Sequence, residues 1–149
     1  MVVFTAGNKL DIARELFDVM SHVCFNASRG RRRQDGLKEI EFYTLSILHE
    51  RGTMNVGDIQ RILGVLPAQM SRIIRALETA APPLVQCGIN PNDKRKIDVH
   101  ITEHGVKALN DYRDARVSRI AELLHDLNDD EQENITHLLF RIRELLERG

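Results

Sequence analysis

A change in hydrophobic periodicity near residue 84 constrains the fold of this chain more than any other feature of its sequence. Up to about residue 80, apolar residues recur every three or four positions, which is the spacing of helices with one buried face. Residues 84–87 are predicted to form a short strand, and residues 97–101 alternate apolar and polar side chains, a pattern that also predicts a strand. Beyond residue 103 the helical spacing returns. The sequence therefore predicts a β-hairpin set between groups of helices.

Two short helices joined by a very short turn precede this hairpin. A stub of strand is predicted at residues 53–54, and Asn55 is predicted to cap the first of the two helices, which stops at Gly64. Pro67 opens the second helix, which runs to about Ala80, because proline suits a first helical turn. A turn this short holds the two helices at a steep angle.

The outer helices are limited by polar breaks and capping residues. Helices are predicted over residues 8–27 and 37–49, and Gly52 suits the left-handed conformation that follows a helix end. After the hairpin, Thr102 is predicted to cap a long helix, and Asn128 is predicted to begin the last helix as part of a capping box. The apolar stripes of the first and last helices are expected to be buried.

Length and composition indicate a single folded domain over residues 1–149. The chain is 42% apolar and 29% charged, a balance that argues against disorder. No apolar run is long enough for a membrane helix, and the first residues lack the basic start of a signal peptide, so we expect a cytoplasmic protein without a membrane partner. Two cysteines are too few for a disulfide framework.

Basic residues are concentrated in the middle of a chain whose net charge is only −1. Residues 29–104 carry twelve basic and nine acidic side chains, whereas residues 105–149 carry seven and ten. Because the overall charge does not indicate a nucleic-acid partner, that argument depends on local clusters, each of which taken alone is more simply a solvated surface. The clusters are Arg29, Arg31, Arg32 and Arg33, then Arg72 and Arg75, then Lys94, Arg95 and Lys96.

A helix, a short turn, a second helix and a basic hairpin, in this order, make up a winged helix-turn-helix. The second helix of such a unit can enter the major groove of DNA, roughly 12 Å wide, and present side chains to base edges. An arginine at the hairpin tip can reach the neighbouring minor groove, where the negative potential favours a guanidinium. The sequence thus predicts an α+β, mostly helical fold, with a winged helix-turn-helix over residues 37–104.

Four segments resemble the MarR/SlyA family of transcriptional regulators in their order and spacing. They are Ile59–Val65, Met70–Glu78, Asp93–Arg95 and Ile101–Gly105. One helix before these segments and two long helices after them also match the family, so the resemblance covers nearly the whole chain. It implies a homodimer, built by residues 1–28 and 105–149 of each subunit, that represses transcription from a pseudo-palindromic site in double-stranded DNA.

The resemblance also implies which side chains meet DNA. These are Gln69, Ser71, Arg72 and Arg75 on the second helix of the motif and Asp93, Lys94, Arg95 and Lys96 in the hairpin loop. Glutamine can pair with adenine and one arginine with guanine, while the serine, the other arginine of the helix and the lysines would hold phosphate. Arg95 corresponds to the family's minor-groove arginine, oriented by Asp93 through a charge-assisted pair.

A small aromatic or carboxylate effector is a further implication of the resemblance. Relatives bind such ligands in a cleft between the dimer helices and the winged helix, where differential affinity for two states shifts the spacing of the recognition helices. The aromatic residues that would line this cleft are Phe25, Phe42, Tyr43 and Tyr112, although core packing explains each of them taken singly.

The first strand of the hairpin, which is the wing of the winged helix, departs from the family pattern. Gln86, Cys87 and Gly88 stand where the family has a basic pair, and residues 80–83 replace its charged turn. Fewer phosphate contacts would reduce the salt dependence of binding. Together with the near-neutral charge, this departure leaves open a second function class, a winged helix that binds a protein and not DNA.

Patterns for other chemistry are weaker. His100, Glu103 and His104 spell a zinc-peptidase motif, but a histidine in a strand cannot share a helical face with one in the next helix. Cys24 is a candidate redox sensor, although its apolar neighbours favour a buried structural thiol, and Cys87 is a weaker candidate. A cluster of His22, Cys24, Glu41 and His49 matches no established ligand spacing. We expect no metal site, no cofactor and no enzymatic activity.

Overall fold

The computed structural model describes residues 7–28 and 36–148. In these ranges the secondary structure is mostly helical with three short strands, as predicted. The helices are α1 (Lys9–Ser28), α2 (Glu39–Arg51), α3 (Val56–Leu63), α4 (Pro67–Glu78), α5 (Glu103–Leu123) and α6 (Asp129–Glu147); the strands are β1 (Met54–Asn55), β2 (Val85–Ile89) and β3 (Ile97–Ile101). The chain divides into two compact units, Arg31–Ala115 and the combined segments Met1–Gly30 and Arg116–Gly149.

Short-range hydrogen bonds begin the helices where the sequence predicts. The side chain of Asn55 accepts the backbone N–H of Asp58 at 2.9 Å at the start of α3. Thr102 Oγ1 accepts the N–H of Gly105 at 3.0 Å at the start of α5, and Asn128 forms a reciprocal capping box with the third residue of α6. Each of these bonds satisfies a backbone donor that helix geometry leaves without a partner.

Two glycines with positive φ follow α2 and α3. Gly64 has φ 64° and ψ 29°, so it ends α3 in the left-handed conformation, and its N–H donates to the carbonyl of Gln60. Gly52 has φ 79° with ψ −155°, and the predicted left-handed helical conformation is therefore wrong for this residue. Glycine reaches both conformations without a Cβ clash. Pro67 then begins α4 only three residues after Gly64, which keeps α3 and α4 adjacent.

The three strands form an antiparallel sheet in the order β1-β3-β2. Met54 of β1 pairs with Val99 of β3, and β2 pairs with β3 from Val85 opposite Ile101 to Ile89 opposite Ile97. The sequence predicts that β2 ends at residue 87, but the strand continues for two more residues. By composition Gly88 and Ile89 look like part of the loop that follows. Backbone pairing with β3, and not composition, determines where the strand ends.

The hydrophobic core of the Arg31–Ala115 unit lies between α2, α3, α4, the sheet and the first turns of α5. At the start of α5, Gly105 approaches the segment before β2 so closely that an added Cβ would lie 2.1 Å from the carbonyl oxygen of Leu84. The N–H of Thr102 also donates to that oxygen at 3.0 Å. The buried core residues are Leu45, Leu48, Ile59, Met70, Ile73, Ile74, Leu77, Val85, Val99 and Leu109.

The other unit exposes the apolar residues that the sequence predicts to be buried. In α1, Ile12, Leu16 and Met20 are 61%, 44% and 58% exposed. In α6, Leu138, Leu139, Leu145 and Leu146 are also exposed, and none of the described side chains of this unit is buried. The prediction of buried stripes is therefore wrong for the single chain, since neither helix is covered by the described part of that chain.

Candidate nucleic-acid interface

The core-facing positions of α4 determine which of its side chains face solvent. Met70, Ile73, Ile74 and Leu77 are buried at the spacing of one helical face, as predicted. Gln69, Ser71, Arg72 and Arg75 are all exposed. At 100° per residue, Arg72 and Arg75 lie opposite the buried face, and Gln69 and Ser71 lie on its two flanks. All four side chains are thus accessible to a partner.

The hairpin loop ends in a tight turn that presents Arg95. The N–H of Lys96 donates to the carbonyl of Asp93 at 2.9 Å and closes the turn. Asp93 Oδ1 accepts the backbone N–H of Arg95 at 3.1 Å and its Nε at 3.3 Å. The Arg95 side chain is 91% exposed, whereas that of Asp93 is 30% exposed. Because an exposed ion pair contributes at most about 1 kcal/mol of stability, this contact matters more for the direction of the guanidinium.

A cleft of about 660 Å³ is lined by residues of both α4 and the wing, which is the hairpin of β2 and β3 with its loop. Ser71 and Arg75 of α4 line it together with Arg95 and Lys96 of the wing. Gln69, Arg72 and Lys94 are exposed outside this cleft. Four of the eight predicted side chains therefore share one concave surface, and the rest lie on α4 or the wing beside it.

Sequence reasoning missed Arg61, a further basic side chain at the cleft. Arg61 Nη2 lies 2.9 Å from Asp58 Oδ1, and both residues of α3 line the cleft. The charge pair at positions i and i+3 is visible in the sequence, but the position of α3 beside the wing is a tertiary feature. Asp58 and Glu78 place carboxylates on the same surface, which lowers its positive potential.

Cys87 also lines the cleft, in the middle of β2. Partial burial, and secondly the carboxylate of Glu78, raise the pKa of its thiol from 9.0 to about 11. The thiolate is the reactive form of cysteine, and a raised pKa lowers the fraction of Cys87 in this form at neutral pH. This environment argues against a sensor role for Cys87.

Three of the four predicted effector-lining aromatics lie together in one cluster. The rings of Phe42 and Tyr112 are stacked with centroids 4.4 Å apart, and Tyr43 is 5.6 Å from Phe42. Tyr112 is buried, whereas Tyr43 is 46% exposed and its hydroxyl donates to Glu39 at 3.2 Å. Phe25 is exposed and belongs to the other unit.

The remaining candidates are the redox and metal-binding residues and the first cluster of arginines. Cys24 is exposed, so the expected buried thiol is wrong for the single chain. His100 lies in β3, as predicted, with Nε2 2.9 Å from Gln86 Oε1. Within residues 7–28 and 36–148, no three histidine, cysteine or acidic side chains are arranged to hold a metal ion. The cluster of Arg29, Arg31, Arg32 and Arg33 lies outside the described residues.

None of the helices in the described ranges combines the length and the apolar character needed to cross a bilayer.

Comparison with known proteins identifies similar regulators. Residues 37–97 match the sequence model of the MarR family. The HTH-type transcriptional regulator MhqR of Bacillus subtilis is 27% identical over 107 residues, which are 72% of each chain. The HTH-type transcriptional repressor NicR of Pseudomonas putida is 34% identical over 104 residues, which are 69% of this chain and 64% of NicR.

The fold is also similar to that of solved structures. The transcriptional regulator Tm0710 of Thermotoga maritima matches with a TM-score of 0.75 and 22% identity, over 94% of this chain and 96% of that protein. At this level of identity the match supports the fold, including the helices on either side of the wing.

Proposed function

Because the chain belongs to the MarR family of DNA-binding transcriptional regulators, which are not enzymes, we propose that it is a repressor that binds a pseudo-palindromic operator as a homodimer. One observation carries this proposal. Two exposed side chains of α4, Ser71 and Arg75, line one cleft together with Arg95 and Lys96 of the wing tip. A surface that joins a helix to a basic hairpin matches two neighbouring grooves of one duplex.

In this proposal α4 enters the major groove. Arg72 and Arg75 lie opposite the buried face, where a docked helix meets base edges and phosphates. Gln69 lies near the N-terminus of α4, the end of a recognition helix that contacts bases, and its amide can pair with adenine. Ser71 is suited to hold a phosphate.

The wing tip is proposed to enter the adjacent minor groove. Arg95 supplies the guanidinium, and Asp93 holds its backbone and directs its side chain. Lys94 and Lys96 are exposed on both sides of Arg95 and are suited to phosphate. This contact reads groove width and potential, so it contributes to affinity for all duplexes.

Exposed apolar surface supports the homodimer. Among the described residues, α1, α6 and the second half of α5 carry most of the exposed large apolar side chains, and no described side chain of these segments is buried. An amphipathic helix is stable in water chiefly when its apolar face is covered. A second copy covers these faces with the same residues, and a two-fold dimer presents two α4 helices to DNA.

A small aromatic or carboxylate effector is proposed to relieve repression. The cluster of Phe42, Tyr43 and Tyr112 supports this proposal, since the exposed part of Tyr43 gives an aromatic ligand a surface to pack against. Thermal unfolding with a panel of hydroxybenzoates tests it. A ligand that raises the melting temperature and releases DNA is expected, and Tyr43→Ala should abolish both effects.

Selection of random duplex DNA tests the main proposal. The purified protein is expected to enrich a pseudo-palindrome, with affinity that falls steeply as salt rises. Arg72→Ala should weaken binding to the selected duplex and lower the salt slope by about 0.9 if it removes one phosphate contact. Arg113→Ala, the loss of one arginine outside the cleft, is the matched control and should leave both unchanged.

Two outcomes contradict the proposal. Enrichment of no sequence, with no binding at low salt, favours instead a winged helix that docks on a protein. The carboxylates of Asp58 and Glu78 beside the basic residues of the cleft are the feature consistent with that alternative. Equal loss of affinity in Arg72→Ala and Arg113→Ala would mean that α4 is not the reading helix.

A further inference from the structure

Asn90 lies between β2 and the wing tip, and both ends of its side-chain amide form hydrogen bonds. Its Nδ2 donates to both carboxylate oxygens of Asp98, at 3.0 and 2.9 Å. Its Oδ1 accepts the backbone N–H of Asn92 at 2.8 Å and that of Asp93 at 2.9 Å. Asn90 and Asp98 are both partly buried, so the bonds between them are partly shielded from water, whereas the bond to the Asn92 N–H is exposed. The amide therefore joins β3 to the residue that begins the turn of the wing tip.

This connection extends from the sheet to Arg95. Asp98 lies in β3, the middle strand, opposite Gly88 of β2 and Asn55 of β1, so its backbone is fixed on both sides. The Asn90 side chain, which is bonded to Asp98, accepts the backbone N–H of Asp93. Asp93 in turn accepts the N–H and Nε of Arg95. A continuous series of hydrogen bonds thus runs from the middle strand to the guanidinium at the tip.

The chemistry of the two neighbours requires an amide at position 90. A carboxylate only accepts hydrogen bonds and a backbone N–H only donates them, so the linking side chain needs a donor and an acceptor on one short stem. Aspartate lacks the donor, alanine lacks both groups, and glutamine has the amide on a longer stem. Asparagine satisfies both neighbours with one planar group.

We propose that Asn90 is a positioning residue for DNA binding, which holds the wing-tip turn in the conformation that presents Arg95. The inference rests on the proposed function, since Arg95 is the residue that would contact the minor groove. A tip already ordered in the free protein loses less conformational entropy when it enters a groove. A side chain that never touches DNA thereby contributes to affinity.

Variants that replace or exchange the amide of Asn90 and the carboxylate of Asp98 test the proposal. Asn90→Ala is expected to weaken binding to the selected duplex about tenfold, because the tip must then be ordered when it binds. Asn90→Asp places a second carboxylate against Asp98 and should weaken binding at least as much. The double variant Asn90→Asp/Asp98→Asn exchanges the two groups, keeps the net charge and should restore affinity.

Two further measurements separate positioning from a general effect on stability. In an Arg95→Ala background, Asn90→Ala should cause a smaller loss of affinity than in the wild type, because the residue acts through the turn that presents Arg95. Hydrogen exchange in the free protein should show a protected Asp93 N–H in the wild type and in the exchanged double variant, and loss of that protection in Asn90→Ala. Thermal unfolding of each variant verifies that the core is intact.

The outcomes distinguish this inference from the proposed function. If Arg95→Ala weakens binding and Asn90→Ala does not, the positioning role is wrong while the DNA-binding role of the wing stands. If Arg95→Ala itself has no effect, the wing assignment fails and the inference fails with it. If Asn90→Ala unfolds, the comparison of Asn90→Asp with the exchanged double variant decides, and equal weakening in the two overturns the inference.

Discussion

Cys87 keeps its proton well above neutral pH, because partial burial and the carboxylate of Glu78 raise its pKa from 9.0 to about 11. The folded state therefore binds this proton more tightly than the unfolded state does. The resulting contribution to the free energy of unfolding is fully present below about pH 9 and is lost as the pH rises toward 11. Urea unfolding from pH 7 to 11 should show a steeper loss of stability in the wild type than in Cys87→Ser.

Cys24→Ser is the matched control for this titration. It removes the exposed thiol and keeps Cys87, so its stability should fall with pH as steeply as that of the wild type. Glu78→Gln should make the fall shallower by only a part, because burial is the larger cause of the raised pKa. A stability difference between wild type and Cys87→Ser that is constant from pH 7 to 11 would contradict the assignment.

Gln69 and Arg72 are proposed to differ in what they contribute to DNA binding. Gln69→Ala removes an amide that can pair with adenine, so it should relax sequence preference at one position of each half-site with a modest loss of affinity. Competition binding with single-base variants of the selected duplex measures this. Ala68, exposed beside Gln69 on the same turn, offers Ala68→Ser as a control that should keep the full preference. If Gln69→Ala distinguishes the single-base variants as well as the wild type does, Gln69 does not contribute to sequence preference.

The functional residues that the sequence predicts are those whose partners are close in the chain. Asp93 and Arg95 are two residues apart, and the expected contact between them is present. The link from Asn90 to Asp98 spans eight residues and depends on strand register, which a loop composition does not reveal. Arg61 is brought to the cleft by the packing of α3, a tertiary effect. The family resemblance therefore implied the contact at the tip but not the side chain that supports it.

At the scale of elements, Gly105 is what allows α5 to begin against the segment before β2. An alanine there would have its Cβ 2.1 Å from the Leu84 carbonyl oxygen and 2.7 Å from a side-chain carbon of Ile101. Gly105→Ala should destabilise the protein by about 1–3 kcal/mol, the usual cost of forcing extra atoms into a packed site, despite the higher helix propensity of alanine. Urea unfolding measures the change.

Gly88→Ala is the control for this prediction. A Cβ at Gly88 would meet no atom within 4 Å, and the residue has no positive φ, so its stability should change little. If Gly105→Ala proves as stable as Gly88→Ala, α5 does not require the close approach to Leu84.

Element boundaries could be predicted where a side chain close in sequence sets them. Asn55, Thr102 and Asn128 begin helices through their own hydrogen bonds, and each was placed correctly. The end of β2 could not be predicted, because Gly88 carries no hydrophobic signal and its place in the strand depends on pairing with Asp98. The conformation of Gly52 likewise depends on the path of the chain into β1.

At the scale of the whole molecule, the apolar faces of α1 and α6 are the part of the sequence pattern that a single chain does not explain. The periodicity of these helices predicts buried faces, but their apolar side chains are exposed in the described chain. The sequence thus specifies which faces need a partner, and the proposed second copy supplies one. Cys24 of α1, expected to be buried, is likewise exposed in the single chain.

Leu138 and Leu145 test that proposal, because they lie seven residues apart on α6 and are 60% and 62% exposed. The double variant Leu138→Lys/Leu145→Lys places two charges on the apolar face and should dissociate the dimer, since burying unpaired charges is unfavourable. Light scattering should give twice the 17.1 kDa of one chain for the wild type and a single chain for the variant. Glu147→Lys, an exposed polar position on the same helix, should remain dimeric.

Dissociation should also change how DNA is bound, and this second readout connects the dimer to the function. A dimer binds both half-sites in one event, because the second α4 is already held near its target at high effective concentration. The lysine variant should therefore lose affinity for the full pseudo-palindrome by orders of magnitude, yet keep the weak affinity of the wild type for a single half-site. A wild type of 17.1 kDa would refute the dimer. A variant that stays dimeric would place the interface on other residues.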